Sequence, residues 1–529
     1  MRVIFGFLTA LILWTLVPGR LWTPGTPGDQ ANADVLDILI KDGRVVDGSG
    51  SSETVADVGI RGDRIVFVGK AGGRSAARTI NASGLVVAPG FIDPHTHTAE
   101  DLSDPARSSN LAYLMQGVTT VATGNDGSSP WPIAETLGKW ERQGIGTNAA
   151  LFVGHGTVRA MVLGDNAIDP TPDQLTRMKA LIVRGIEDGA IGMSTGLYYS
   201  PGSFAKTAEI IDLARAVGEK GGIYDTHMRD EDSYSIGLLG SIEETIRIGR
   251  EAHLPVHISH IKCLGTQVWG KSTAAIEMIR AARAAGVEVT ASQYPYTASG
   301  TSIVAALIPR WAEEGGRRQM LERIDDPAIR PRLLGEMAVN LDRRGGPGSL
   351  LITASRDTSL AGKTLAQIAT EWKKSPVEAA LEVIRRQGDA TVASFNMTES
   401  DIENFMRQDF VMTGSDGSNG HPRKYGTFPR KIRHYVYETH LITLPFAIRS
   451  SSSLAASALR IRDRGLVRQG CYADIVVFDE KTIADRATYE HPRELAAGMR
   501  YVIVNGKVAV DGGEYNGALA GRVLRRARD

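Results

Sequence analysis

Between residues 34 and 90 the chain alternates apolar and polar positions in short runs that break at glycine. "VLDILIKDGRVVDG", "ADVGIRGDRIVFVG" and "ARTINASGLVVAPG" carry the two-residue period of half-buried strands, with Gly43, Gly48 and Gly62 at turns. The pattern returns at the other end in "ADIVVFDE" (473–480) and "MRYVIVNGKVAVDGGEY" (499–515), where "VNGK" signals a tight hairpin. Short β segments at both ends of a chain predict one small sheet domain in which the termini pair.

The middle has a different rhythm. Apolar strand-like runs alternate with segments of helical period. "AEIIDLARAVGEKGG" puts Ile210, Leu213, Ala214 and Val217 on one face and stops at Gly221–Gly222. "GIYDTHMR", "PVHISHIKC" and "VEVTASQYPY" read as strands, with "SIEETIRIGREAHL" and "TAAIEMIRAARAAG" as the helices between them. This βαβα order predicts a parallel sheet. Nine strand candidates end at His97, Asp126, His155, Leu197, His227, Lys262, Tyr296, Met397 and Asp416. An eight-stranded barrel needs one fewer, and "ATVASFNM", after an irregular helical stretch, is the one to set aside. The expected class is α/β: a (β/α)8 TIM-like barrel plus a small β-sandwich. Its expected parts are 34–90 (sandwich, first part), 91–454 (barrel, with a helical insertion around 311–390) and 455–529 (sandwich, second part).

Composition narrows the function classes. The 529 residues are 42% apolar and 23% charged, ordinary for a globular chain. With 60 basic and 60 acidic side chains the formal charge is zero, so no nucleic-acid partner is indicated. Cys263 and Cys471 are far apart and form no redox motif. The apolar run Val3–Val17 is shorter than the roughly 20 residues of a membrane span and resembles a secretory core; "ANAD" at 31–34 supplies an Ala-x-Ala cleavage pattern. Residues 1–33 are expected to direct export to the periplasm or beyond, or, if uncleaved, to anchor the chain in a membrane.

The candidate chemistry lies at the strand ends. "GFIDPHTH" closes the first barrel strand with His95 and His97, two of only 11 histidines, on the same face because side chains alternate along a strand. Asp126 ends the second strand, His227 the fifth, His260 the sixth and Asp416 the last. The C-terminal strand ends of a barrel ring one mouth, so four imidazoles and two carboxylates converge there. That set suits Zn2+, one ion or two, with Mn2+ or Co2+ also compatible. Such ions make a hydroxide nucleophile from water near neutral pH, and Asp416 is placed to take the proton and return it to a leaving nitrogen. His257 has the opposite strand parity to His260 and is expected to face away. His155, His421 and Arg423 are candidates for the rim.

"GFIDPHTH", "STGLYYSPG", "THMRDE", "ISHIK", "YPYTAS", "GSDG", "HPRKYGTFPR" and "DRGLVRQGCYADIVVFD" together resemble the amidohydrolase superfamily, and within it the N-acyl-D-amino-acid deacylase family, from about residue 36 to the end. The resemblance implies a metal-containing barrel that hydrolyses an N-acyl bond to release a carboxylic acid and a D-amino acid. It implies one metal site at His95 and His97, another at His227 and His260, Asp416 as the catalytic aspartate, and Lys262 and Tyr199 on the substrate carboxylate. One position departs: "GNDG" puts Asp126 where the family usually has cysteine, which implies a harder ligand, more even bridging of two ions and less restriction to zinc. A D-dipeptidase or a dihydropyrimidinase-like cyclic-amide hydrolase is the nearest alternative activity. The latter usually carries a carboxylated lysine on a barrel strand, and "AIGMSTGL" has no lysine. A non-catalytic metal-binding barrel is the alternative outside enzymes, and it predicts a damaged ligand set.

Overall fold

The computed structural model describes residues 35–387 and 390–526; the expected export segment lies outside them. Five strands come first: β1 (Leu36–Val45), β2 (Thr54–Arg61), β3 (Arg64–Gly69), β4 (Ala76–Asn81) and β5 (Val86–Pro89). The barrel strands β6 (Phe91–Thr96), β7 (Val118–Thr123), β8 (Asn148–Leu151), β9 (Val153–Gly154), β10 (Gly192–Gly196), β11 (Ile223–His227), β12 (Val256–Ile258) and β13 (Val289–Gln293) follow. Then come β14 (Ala298–Ser302), β15 (Leu350–Ala354), β16 (Thr391–Phe395) and β17 (Val411–Thr413), and finally β18 (Ile475–Phe478), β19 (Met499–Val504), β20 (Lys507–Asp511) and β21 (Glu514–Tyr515).

The two ends of the chain share one nine-stranded sheet, ordered β21-β20-β19-β18-β5-β1-β2-β3 with β4 also on β1. The join is β18 against β5, antiparallel, with Ile475 opposite Pro89 and Phe478 opposite Val86. Ile38, Ile40, Val58, Val87, Ile475 and Ile503 fill its core, the inward half of the alternation seen in the sequence. Gly90 carries the chain from this sheet into the barrel. A Cβ there would sit 2.2 Å from Thr119 Oγ1, so only glycine lets β5 hand over to β6 at that spacing.

The barrel is all parallel. β6-β7-β8 form one arc and β9-β10-β11-β12-β13-β17 the other. β8 runs on into β9 through Phe152, and a parallel bridge between Thr96 and Gly417 closes the ring at eight staves. These strands are buried almost throughout, as sheets covered on both faces require. Thr207–Glu219, Gly237–Ala252 and Ser272–Ala284 pack outside them; Ile210, Leu213, Ala214 and Val217 turn inward from the first. Thr391–Phe395 is not a stave: β16 pairs antiparallel with β14 and β15 in a separate sheet. That sheet and the helices Arg317–Asp325, Arg330–Arg343, Leu365–Trp372 and Pro376–Gln387 share their own core, including Leu333, Met337 and Val392. The whole unit is inserted between β13 and β17, beside the mouth. Among the described residues no helix is long and apolar enough to cross a membrane, and both cysteines are buried and free.

The ladders stop short of the strand ends read from the sequence: β7 at Thr123, β12 at Ile258 and β17 at Thr413. The reason is local. Asp126, His260 and Asp416 have φ of 56°, 36° and 47°, a left-handed backbone that no ladder accepts. Each breaks from its strand and turns its side chain over the rim.

Candidate metal centre

His95 and His97 leave the end of β6 on one side, their rings 5.3 Å apart, while Thr96 turns away and donates from Oγ1 to Ala122 O at 2.8 Å. Asp126 stands between both histidine pairs. Oδ1 lies 3.4 Å from His95 Nε2 and 3.6 Å from His260 Nε2; Oδ2 lies 3.4 Å from His97 Nε2 and 3.8 Å from His227 Nδ1. Asp416 Oδ1 is 3.0 Å from His97 Nε2 and 3.6 Å from His95 Nε2. His227 Nδ1 and His260 Nε2 are 2.9 Å apart. Two overlapping sets result, His95–His97–Asp126–Asp416 and Asp126–His227–His260, with donor atoms all within 4.8 Å inside each set.

Glycine makes the packing around Asp126 possible. A Cβ on Gly196 would lie 2.2 Å from Asp126 O, and one on Gly127 (φ 72°) would lie 2.7 Å from Gly196 N. Behind the ligands sit buried acids. Asp225 accepts from Ser259 Oγ and Asn125 Nδ2, and Asp93 accepts from the backbone N–H of His95 and Ser415. Burial pushes both up to about 7. Glu231 Oε1 lies 3.2 Å from His260 Nδ1 and accepts from Lys262 Nζ at 2.6 Å. A carboxylate on the far nitrogen of a ligand imidazole fixes its tautomer and orientation.

The residues fit divalent metal. Both ring nitrogens of His95 and Oδ1 of Asp126 are buried and have no hydrogen-bond partner, although such atoms are rarely left unmet. His95 Nε2 and Asp126 Oδ1 lie 3.4 Å apart, close to the roughly 3.3 Å between ligands of a tetrahedral zinc. Protons show the same demand. His97, exposed on the cleft side, is raised to about 10 by Asp126 and Asp416. Burial alone dominates His95, held down to about 4. Asp416 is lowered despite its burial, by Arg423 and the imidazoles. The site is a nest of anions asking for positive charge.

Two spaces meet at this centre. An inner pocket is lined by Tyr199, His227, His260, Lys262, Tyr294 and Arg344, among others. An outer cleft of about 560 Å3 is lined by His97, Asp126, Ser200, Gly202, Thr301 and Arg423, among others. Tyr199 and Asp416 line both. Lys262 Nζ also donates to His260 O at 2.9 Å.

The remaining expected residues divide. Arg423 reaches the centre through Asp416. His421 is buried beneath it, donating from Nε2 to Ala298 O and accepting the Arg423 N–H on Nδ1. His155 is buried against Glu209, which also pairs with Arg159, and lines neither space. His257 points into the wall at Thr290. Glu231, Tyr294 and Arg344 were not singled out from the sequence. The first two sit inside the quoted "THMRDE" and "YPYTAS" and could have been found by their strand-end positions; Arg344, in the inserted unit, carries no local signal.

The model of the amidohydrolase family matches residues 78–510. The chain belongs to the amidohydrolase family. Among amidohydrolases, the D-aminoacylase of Alcaligenes xylosoxydans xylosoxydans is 35% identical over 94% of this chain and 99% of its own. The N-acyl-D-glutamate deacylase of the same organism is 34% identical over 93% and 97%. A D-aminoacylase crystal structure superposes with a TM-score of 0.80 at 36% identity, covering 93% of this chain and all of that one. The N-acyl-D-glutamate deacylase of Bordetella bronchiseptica, solved with zinc and a phosphonate mimic of the tetrahedral intermediate, gives 0.81 at 31% identity with the same coverage. This amidohydrolase is therefore a metal-dependent hydrolase of carbon–nitrogen bonds on a barrel-plus-sandwich fold.

Proposed function

We propose that the chain is an exported deacylase of N-acyl-D-amino acids that works with two divalent ions, Zn2+ first among them, with Mn2+ or Co2+ accepted. The observation that carries this reading is Asp126, whose two oxygens face both histidine pairs at 3.4–3.8 Å. His95 and His97 would hold one ion, His227 and His260 the other, with Asp126 between and Asp416 on the first. Bound there, the ions supply Lewis acidity toward a carbonyl and lower the pKa of water.

The chain's own residues do the rest. Asp416 takes the proton from the attacking water and returns it to the leaving amide nitrogen, from a position that lines both the inner pocket and the outer cleft. The Arg423 ion pair keeps Asp416 ionised and aimed. Lys262 and Tyr199 receive the substrate α-carboxylate in the inner pocket. The acyl group then extends into the outer cleft, where water has access. The run Val3–Val17 and the "ANAD" pattern support export.

The test is a substrate screen on metal-reconstituted enzyme, with paired N-acetyl-D- and N-acetyl-L-amino acids and dipeptides, scored by free amine. Turnover of D-forms is expected. Turnover of L-forms alone would overturn the stereochemistry, and no turnover of any N-acyl compound would remove the assignment.

A further inference from the structure

The relatives are a D-aminoacylase and deacylases of N-acyl-D-glutamate and N-acyl-D-aspartate, and their identities of 35%, 34% and 32% do not choose among them. The inner pocket does. Of the cations on its wall, Lys262 is paired with Glu231 at 2.6 Å. Arg423, on the cleft side, is paired with Asp416 at 2.8 Å. Arg344 is different. It is 2% exposed, and among the described residues no carboxylate lies within ion-pair distance of it.

Its guanidinium is held in place but not neutralised. Nε donates to Ala306 O at 3.2 Å, Nη1 to Ser394 Oγ at 3.2 Å and Nη2 to Tyr198 Oη at 3.3 Å. All three acceptors are uncharged and all three bonds are long. A guanidinium has five N–H groups, so two remain. Asp232, whose carboxyl feels Arg343 and Arg344, makes no hydrogen bond through either carboxylate oxygen and is pushed up by burial to about 6. A buried charge without a partner is costly unless something supplies one. The pocket also holds two other unmet groups, the buried hydroxyls of Tyr234 and Tyr294.

The position sets what the partner is. Tyr198 stacks on the ligand ring His227, centroids 5.7 Å apart, and its hydroxyl meets Arg344. One tyrosine therefore separates the guanidinium from the metal centre. Lys262, which contacts the ligand His260 directly, is within reach of an α-carboxylate. Arg344 lines the same pocket, one tyrosine removed from the ligand His227.

We propose that Arg344 is a specificity-determining residue that binds a second carboxylate, on the amino-acid side chain, and that the preferred substrates are N-acyl-D-amino acids with acidic side chains. The proposal rests on the deacylase reading and goes beyond it in naming the side chain. A carboxylate fits the two free N–H groups of a guanidinium, and a carboxamide does not neutralise it.

The experiment compares N-acetyl-D-glutamate with N-acetyl-D-glutamine, which differ only in that charge, and adds N-acetyl-D-leucine. The wild type is expected to favour glutamate over glutamine in kcat/KM by about 10- to 150-fold, the range of a charge-assisted contact. In Arg344→Met that ratio should fall to near one, and Arg344→Lys should keep part of it. The wild-type ratio needs no variant, so misfolding of Arg344→Met would not remove the test. A wild type that hydrolyses glutamine or leucine derivatives as well as glutamate overturns the proposal. Calorimetric binding separates the remaining cases. Tighter binding of the glutamate derivative without turnover, lost in Arg344→Met, supports the Arg344 site and sinks the deacylase reading. Binding of neither derivative sinks both.

Discussion

Arg423 holds Asp416 from behind: Nη1 lies 2.8 Å from Asp416 Oδ2, while Oδ1 of the same carboxylate faces His97. Both residues are buried. Arg423→Met leaves a buried carboxylate without its partner and should cost about 3–5 kcal/mol. Thermal melting of the metal-free variant checks it, and an unchanged midpoint would mean the pair contributes nothing.

Asp416→Asn keeps the shape and removes the base. A fall in kcat of about 10²–10⁴-fold, with a small change in KM, is expected for a lost proton shuttle. Steady-state kinetics on the metal-loaded variant decide; retention of a tenth or more of wild-type kcat would assign the proton to another group.

Asp126 faces both histidine pairs at similar distances, so wild-type protein dialysed after reconstitution should hold about two divalent ions per chain, and Asp126→Ala one or fewer. Elemental analysis gives the count directly. One tightly held zinc in the wild type, unchanged by Asp126→Cys, would rule out even bridging.

Gly196→Ala places a Cβ 2.2 Å from Asp126 O, which is backbone and must move. Overpacking of this kind costs about 1–3 kcal/mol, and here it also displaces a ligand. Both the melting temperature and the metal content of the variant should drop.

Lys431 is buried, donates to Thr413 Oγ1 and Ser450 Oγ, and is lowered by burial from 10.5 to about 7. Below pH 7 both states are protonated and the folded state bears the whole cost of the buried charge. Between pH 7 and 10.5 the unfolded chain binds more protons, so this group's contribution to stability rises with pH. Lys431→Met should therefore stabilise the fold by roughly 2–4 kcal/mol at pH 6, and the gain should shrink as pH approaches 10. A melting-temperature difference that is flat with pH would refute it.

What could be read from the sequence was whatever depends on parity and chain order. His95 and His97 share a face because a strand alternates, and Asp126, His227, His260 and Asp416 mark strand ends because apolar runs stop there. The meeting of β5 and β18 follows from matched alternation about 390 residues apart in the chain. Arg344 could not be read this way. Its role depends on how the inserted helices lean against Tyr198, a contact with no period and no motif. Glu231 was missed for a similar reason: its i,i+4 relation to His227 is visible, but its grip on Lys262 and His260 exists only once β11 and β12 lie side by side.

The left-handed backbone at Asp126, His260 and Asp416 sets fold and chemistry against each other at three places. Glycine occupies that conformation freely, whereas a β-carbon there costs energy. A chain released from the need to bind metal would gain stability by drifting toward glycine at these positions. Residues that persist there against the preference of their own backbone are retained for what their side chains do.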